Sequence, residues 1–438
     1  MTGQGGVVQN ERPGRAKAAS FQYALSFLII LCLAVSASAS DLSLQDLIAE
    51  ALEKSPEILA SEYRAKAAGY RVPQAGSLPD PMLMFGYQNE GWDRYTFGKE
   101  PDAQWMFSLS QMIPFPGKLS FKEEMARQDA EGVGLMYESV RLRTAARIVE
   151  LYFDLFLAYK NIDLIRERTA LFTRIEDAAL ARYSSGMGMQ QEVLMAQTEK
   201  YMLLEKEEMQ KQRIQAIEAM LNTTVGRDVN ATLGRPAEQV RTAHAKSVDE
   251  LLSMAYEHAP EIRVRQRMVA VAEAKVKMAE REYYPDVTLN AGYVTRGGGR
   301  FMDMWSLTST INLPIFYRTK QKQAVLEAQA QLAEAKVELE AAKLMVASGV
   351  RDSYSMYRTA EKLMDIYKRG LIPKTYQDFE SALAGYTTGK TEAITVINRL
   401  KALIDLEMLH WTQVAEREKA AARFEAMAGV MDLGSKGK

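Results

Sequence analysis

Two stretches of this chain, from about residue 118 to 182 and again from 318 to 384, carry helical text with no proline before Pro373. At about 1.5 Å per residue each could run roughly 100 Å as a helix, longer than the core of any compact domain. The chain must therefore build an elongated helical body. In the second stretch Val325, Leu332, Leu339, Val346 and Ser353 fall seven apart, and Ala328, Ala335, Ala342, Gly349 and Met356 fill the alternate seam. That is the 3-and-4 spacing of a coiled coil, with small residues permitting close helix approach. In the first, Ile148, Tyr152, Leu155, Tyr159 and Ile162 give one phase and Ile165, Phe172, Ile175 and Ala179 another. Such a slip fits a helix that wraps a curved wall, or a plain interrupted coiled coil.

A similar corner precedes each stretch. Trp105 to Lys118 reads W-M-F-S-L-S-Q-M-I-P-F-P-G-K, and Trp305 to Arg318 reads W-S-L-T-S-T-I-N-L-P-I-F-Y-R, with Trp and Pro equally spaced in both. The first half of the corner alternates as a strand with one apolar and one wet face, until Pro114, Pro116 and Gly117 stop the ladder. Further markers recur in order: the stripe Leu44, Leu47, Ile48, Ala51, Leu52 as Val248, Leu251, Leu252, Ala255, Tyr256; Pro56-Glu57-Ile58 as Pro260-Glu261-Ile262; Pro79-Asp80 as Pro285-Asp286. A period of some two hundred residues is a duplication of domains. The repeats are expected over 40–222 and 247–428, joined by a connector at 223–246 and followed by a tail at 429–438.

Each repeat holds two candidate strands, about 82–113 in the first and 286–313 in the second. About ten residues per tilted strand is enough to cross a bilayer. Four strands cannot close a barrel. Open edges in lipid would leave backbone groups unsatisfied at several kcal/mol each, so two, three or four chains must combine into eight, twelve or sixteen strands.

The apolar run from Phe21 to Val35 follows Arg12, Arg15 and Lys17 and precedes Ala37-Ser38-Ala39, the order of a secretory signal, with cleavage expected after Ala39. Leu31 before Cys32 is too large for a lipoprotein signal. Cys32 is the only cysteine, so the mature chain has no disulfide and its stability must come from packing. With 55 basic and 56 acidic residues the chain offers no electrostatic reason to bind nucleic acid.

No catalytic constellation is present in the sequence. His244, His258 and His410 are far apart, and Gly297 to Gly299 is a hairpin tip with no helix behind it to bind phosphate. No cofactor is expected. Among 24 methionines, Met82, Met84, Met106, Met112 and Met304 would line the wet side of a barrel, where thioethers suit soft cations such as Cu(I). Adaptable packing is the commoner use of methionine.

Both long helices close alike, at Tyr183-Ser184-Ser185-Gly186 and Tyr386-Thr387-Thr388-Gly389, and a second helix then runs back to about Asn222 or Ala428. The duplicated order of helix, hairpin, proline corner, long helix, Y-x-x-G turn and return helix resembles the TolC-like outer-membrane efflux protein family over nearly all the mature chain. Leu78 to Pro81 and Gln111 to Lys118 look like its heavy-metal, CzcC-like branch. The resemblance implies a mainly α fold with membrane β: a trimeric, twelve-stranded outer-membrane barrel continued by a periplasmic α-helical tunnel. It further implies a passive channel, not an enzyme, that serves an inner-membrane pump, with a periplasmic adaptor docked on the turns at Tyr183 to Gly186 and Tyr386 to Gly389. Family channels close there through side-chain links. Carried over by position, these are Glu192 with Tyr386, with Lys390 beside Thr391 where some relatives have arginine. Thr395 and Asn398 stand where some relatives place acids, so a strongly acidic ring is not expected.

Overall fold

The computed structural model describes residues 42–238, 246–297 and 299–433, together with Gly3. The expected export segment with Cys32 and the cleavage point after Ala39, and also His244, Gly298 and residues 434–438, lie outside the described residues.

The chain begins with two helices, α1 (Leu44–Lys54) and α2 (Pro56–Gly76). The Ser43 hydroxyl accepts a hydrogen bond from the Asp46 amide at 3.4 Å, and Pro56 occupies the first turn of α2, where its missing N–H costs nothing. Strands β1 (Met82–Gln88) and β2 (Gln104–Ile113) follow, then α3 (Lys118–Ser184) and the return helix α4 (Gln190–Val225). The order then repeats as α5 (Val248–His258), α6 (Pro260–Arg281), β3 (Val287–Thr295) and β4 (Met304–Ile311). It is completed by α7 (Gln321–Asp365), a π turn (Ile366–Leu371), α8 (Ile372–Thr387) and α9 (Ala393–Ala428). Ser247 and Glu250 cap α5 reciprocally, and Pro260 opens α6 as Pro56 opens α2.

The 67 residues of α3 make an unbroken rod of about 100 Å. The second rod departs from the expected uniform helix in three places. It begins at Gln321, because Gly117 turns the first corner at φ +98° whereas Tyr317 fills the equivalent position and a run of turns intervenes. It widens into the π turn just before Pro373. Proline lacks the N–H that would bond Arg369, and its ring crowds that carbonyl. The Ile372 amide bonds Tyr367 five residues back. Finally, the seam slips: Ala342, Val346, Val350, Ser353, Tyr357 and Ala360 are buried, while Met356, expected on the seam, is exposed. The two successive steps of four at Val346 and Val350 unwind the coil locally.

The four strands form one antiparallel sheet in the order β1-β2-β3-β4. The central pairing, from Trp105↔Thr295 to Ile113↔Val287, joins one repeat to the other. Strands β1 and β4 remain at the edges.

Below the sheet, Lys118 ties the repeats together. Its buried ammonium lies 2.9 Å from Asp286, 3.3 Å from Glu282 and 3.1 Å from the Tyr284 carbonyl. Asp286 also accepts the Phe115 amide at 2.8 Å, and the Phe115 ring stacks on Tyr284 at 4.4 Å. One cation thus anchors the start of α3 to the start of β3. Gln111 is equally local, donating to the Pro79 carbonyl at 2.9 Å.

The duplication is visible in two glycines as well. Gly226 ends α4 at φ +96° and Gly429 ends α9 at φ +73°. A Cβ on either would stand 2.5 Å from a carbonyl, that of Lys54 or His258, so each return helix seats its end on the joint between the two short helices of its own repeat.

Removing the Lys118 ammonium leaves Asp286 without its cation. Lys118→Met is expected to destabilise the protein by about 3 kcal/mol, while Lys122→Met, on the same helix one turn on, changes it by less than about 0.5 kcal/mol. Chemical denaturation of the purified protein reads both.

Candidate functional site

Register fixes what each face of the sheet presents. Residues directly opposite each other share a face, so Met82, Met84, Gly86 and Gln88 lie with Ser110, Ser108, Met106 and Gln104. Across β2–β3 and β3–β4 the same face continues through Thr288, Asn290, Gly292 and Val294 to Thr310, Thr308, Ser306 and Met304. The opposite face carries Leu83, Phe85, Phe107, Leu109, Leu289, Leu307 and Ile311, all of them exposed. A sheet with an uncovered apolar face and a face of Ser, Thr, Asn and Met side chains is built to separate lipid from water. Tyr87 packs against Trp105 at 4.9 Å and Tyr95 at 5.1 Å, an aromatic group at the hairpin end of the strands.

All five candidate methionines fall on the polar face. No two are direct partners: Met82 faces Ser110, Met84 faces Ser108, Met112 faces Thr288, and Val294 separates Met106 from Met304. The thioethers are dispersed along the face, not gathered into a ligand set. Among the described residues no group of three or more His, Cys, Asp or Glu could hold a metal ion, and no helix is long and apolar enough to cross a membrane.

The opposite end of the long helices holds the second candidate. Helix α3 ends at Ser184, and the amides of Met187 and Gly188 both return to the Arg182 carbonyl, at 2.9 and 3.0 Å. Helix α8 ends at Thr387, and the amides of Lys390 and Thr391 return to the Gly385 carbonyl. Tyr183, Ser184, Ser185 and Gly186, and likewise Thr387, Thr388 and Gly389, are exposed at these tips, as are Met187 and Met189. Tyr386 is not. It is fully buried, and its hydroxyl donates to the Glu192 carboxylate at 3.0 Å, joining the turn of one repeat to the return helix of the other.

Sequence reasoning paired Glu192 with Tyr386 and placed Lys390 beside them. The Lys390 side chain is exposed, and only its backbone amide serves the turn. The cation at the tyrosine is Arg182, which the sequence reading missed. Its guanidinium lies 5.0 Å from the centre of the Tyr386 ring and donates to the Tyr386 and Met187 carbonyls at 3.0 Å each. The available signal was an arginine one residue before the first turn's tyrosine. It faces inward because the tip of α8 lies against the last turn of α3. Two further ion pairs cross between the hairpins above this latch, Lys401–Glu199 at 2.8 Å and Arg174–Glu380 at 3.6 Å.

Of the histidines, His258 is exposed at the end of α5, and His410 is half-buried on α9. Burial, and then the Lys368 ammonium, hold the His410 imidazole below its usual pKa.

With this geometry in view, the outer membrane efflux protein family matches residues 47–227 and 251–429, one match per repeat. The chain belongs to that family. The cobalt-zinc-cadmium resistance protein CzcC of Cupriavidus metallidurans is 20% identical over 369 residues, covering 82% of this chain and 83% of that protein. The outer membrane protein TolC of Vibrio cholerae is 20% identical over 428 residues, covering 92% and 94%. Among solved structures, CusC superposes with a TM-score of 0.77 at 15% identity over 88% of this chain and 92% of that one. VceC of Vibrio cholerae gives 0.74 at 18% identity over 88% and 96%. The fold is that of the TolC-like channels, and the protein is an outer-membrane efflux channel component.

The latch has a pH signature. Burial first, and then the hydrogen bond to Glu192, push the Tyr386 phenol from 10.0 up to about 12. A raised tyrosine pKa stabilises the neutral, latched form fully below pH 10, and this stabilisation is lost as pH rises through about 12. The stability that this contact adds is expected to hold from pH 7 to about 10 and to fall above it, a loss that Tyr386→Phe lacks when both proteins are followed by chemical denaturation.

Proposed function

We propose that three copies of this chain pair β1 of one with β4 of the next, closing a twelve-stranded barrel that opens into a tunnel of α3–α4 and α7–α9 hairpins. The observation that carries this reading is the four-stranded sheet with two unpaired edges and an uncovered apolar face. Such edges cannot remain open in lipid, and three sheets of four supply the strands that close them. The protein is then a passive conduit, without cofactor or reaction, driven by an inner-membrane pump. Segment 1–39 directs its export. A periplasmic adaptor docks on the exposed turns at Tyr183 to Gly186 and Thr387 to Gly389, with Tyr386 buried beneath the second.

The cargo we favour is heavy-metal cations, supported by the likeness to a cobalt-zinc-cadmium resistance protein. The letters Gln111 to Lys118, which suggested the metal branch, have structural duties at the joint between sheet and helices. They argue for a shared corner and leave the cargo to the pump. A deletion strain is expected to lose tolerance of zinc, cobalt or cadmium in a panel that also includes copper and drugs. Loss of drug tolerance alone would reassign the cargo, because the TolC relative is equally similar. Absence of heat-modifiable trimers from outer-membrane fractions would refute the channel itself.

Glu192, Tyr386 and Arg182 form, on this reading, the latch that holds the tunnel mouth closed. Tyr386→Phe combined with Glu192→Gln removes a charge-assisted hydrogen bond of about 1.5–3 kcal/mol per protomer, so single-channel conductance is expected to rise. Unchanged conductance would refute the latch.

A further inference from the structure

The apolar core of the described helical body falls into three clusters, one of them between α5, α7 and the end of α9, and the other two follow one another along the rods. The upper cluster takes Ile148 to Ile162 from α3, Ile214 to Val225 from α4 and Val414 to Ala422 from α9. The lower cluster takes Ile165 to Ala179, Val193 to Leu203, Phe379 to Tyr386 and Ala393 to Ile404. Between them α4, the second rod and α9 have a gap, and on α3, where the clusters meet at Ile162 and Ile165, the break is the long step from Ile165 to Phe172 just below. No residue is buried on α3 from 166 to 171, on α4 from 204 to 213, on the second rod from 361 to 378, or on α9 from 405 to 413. Ion pairs place these gaps at one level: Arg166–Glu207 at 2.8 Å joins α3 to α4, and Arg168 makes a two-pronged contact with Glu407 on α9, at 2.6 and 2.8 Å. The Arg168 and Glu407 side chains are only 15% and 12% exposed, so this pair is largely withdrawn from water.

The same layer holds polar atoms that packing leaves unserved. Gln210 Oε1 and His410 Nδ1 are buried without a partner, and Asn161 Oδ1 is in the same condition just above. The π turn Ile366–Leu371 lies in this layer and buries none of its six residues. Lys368 of that turn lies close enough to His410 to affect its charge. Few buried apolar contacts, unpaired polar atoms and a widened helix together mark the level at which deformation costs least.

We propose that this polar waist is the pivot on which the α8–α9 hairpin swings away from α3–α4 when the tunnel mouth opens, with Arg168–Glu407 as the pin that holds α9 to α3 during the motion. The waist is about 20 residues, roughly 30 Å along the helix, from the Tyr386 latch. A small change of angle in the π turn therefore becomes a large displacement at the tip. Apolar clusters above and below move as blocks, since close-packed cores resist continuous deformation. Arg168 and Glu407 are positioning residues in this account and touch no cargo. The proposal rests on the latch reading above.

The test stiffens the pivot without touching the latch. A Cβ on Gly370 meets nothing within 4 Å, and Pro373→Ala restores the missing amide, so the pair Gly370→Ala/Pro373→Ala favours a regular helix. In full-length trimers in planar bilayers, the conductance gained by Tyr386→Phe/Glu192→Gln is expected to fall about threefold when this pair is added. An undiminished gain overturns the pivot. Hydrogen exchange of the wild-type trimer gives a reading independent of the latch. Amides 366–371 are expected to exchange about tenfold faster than those of 340–360, and equal rates overturn the pivot even if the latch variant conducts more. If the latch variant gains nothing while the fast exchange is found, the latch fails and the soft waist stands. Arg168→Glu should raise conductance, and Arg168→Glu/Glu407→Arg should return it to the wild-type level. A double variant as leaky as the single one removes the pin from the proposal.

Discussion

A single buried ammonium organises the junction on which the molecule depends. Lys118 opens the longest helix of the first repeat, yet its partners, Asp286, Glu282 and the Tyr284 carbonyl, all belong to the second. The contact fixes where the sheet stops and the helices start. Through Asp286, which also holds the Phe115 amide, it fixes the register in which β2 meets β3. Water is excluded from the ammonium, so the pair and its carbonyl act together as a hydrogen-bonded node and not as a surface ion pair of little worth. The apolar and polar faces of the sheet follow from that register, because a slip of one residue would exchange them.

Much of this was legible in the letters. The duplication, the four strands, the division of their faces and the unbroken α3 follow from periodicities of two, three-and-four and two hundred, and local chemistry obeys those periods wherever burial is one-sided. What was not legible depends on contacts between distant segments. Pro373 was visible as the first proline of the rod, but the widening before it is a choice among a kink, a break and a π turn. The buried neighbours of the second seam make a different choice at Val350 and Tyr357 from the one that strict heptads give to Met356. Arg182 was hidden because the cation was sought beside the second turn, whereas the fold supplies it from the first.

The latch and the waist divide the helical body into parts with different physics. At the tip one tyrosine, one acid and one arginine meet in a dry contact between repeats, specific in geometry and small in number. In the waist, ion pairs join α3 to α4 and to α9, and the apolar side chains there, such as Leu171, Met408 and Trp411, are only partly buried. A tunnel made this way can be stiff along its length and still change shape at its mouth, because α4, the second rod and α9 bury no residue at the level that separates the upper cluster from the lower one.

The unpaired edges of β1 and β4 bear on genetics as well as on architecture. Every seam of the assembled barrel takes one edge from each of two neighbouring chains, so no protomer can shield its neighbours from a defect of its own. A substitution that spoils β1 damages only one seam, yet one open seam is enough to leave backbone groups facing lipid. In a cell that makes altered and normal chains in equal amounts, only about one barrel in eight would contain three normal chains if they mix at random. Edge-strand alleles of this protein should therefore behave as dominant, while substitutions confined to the helical tips should be diluted by normal partners.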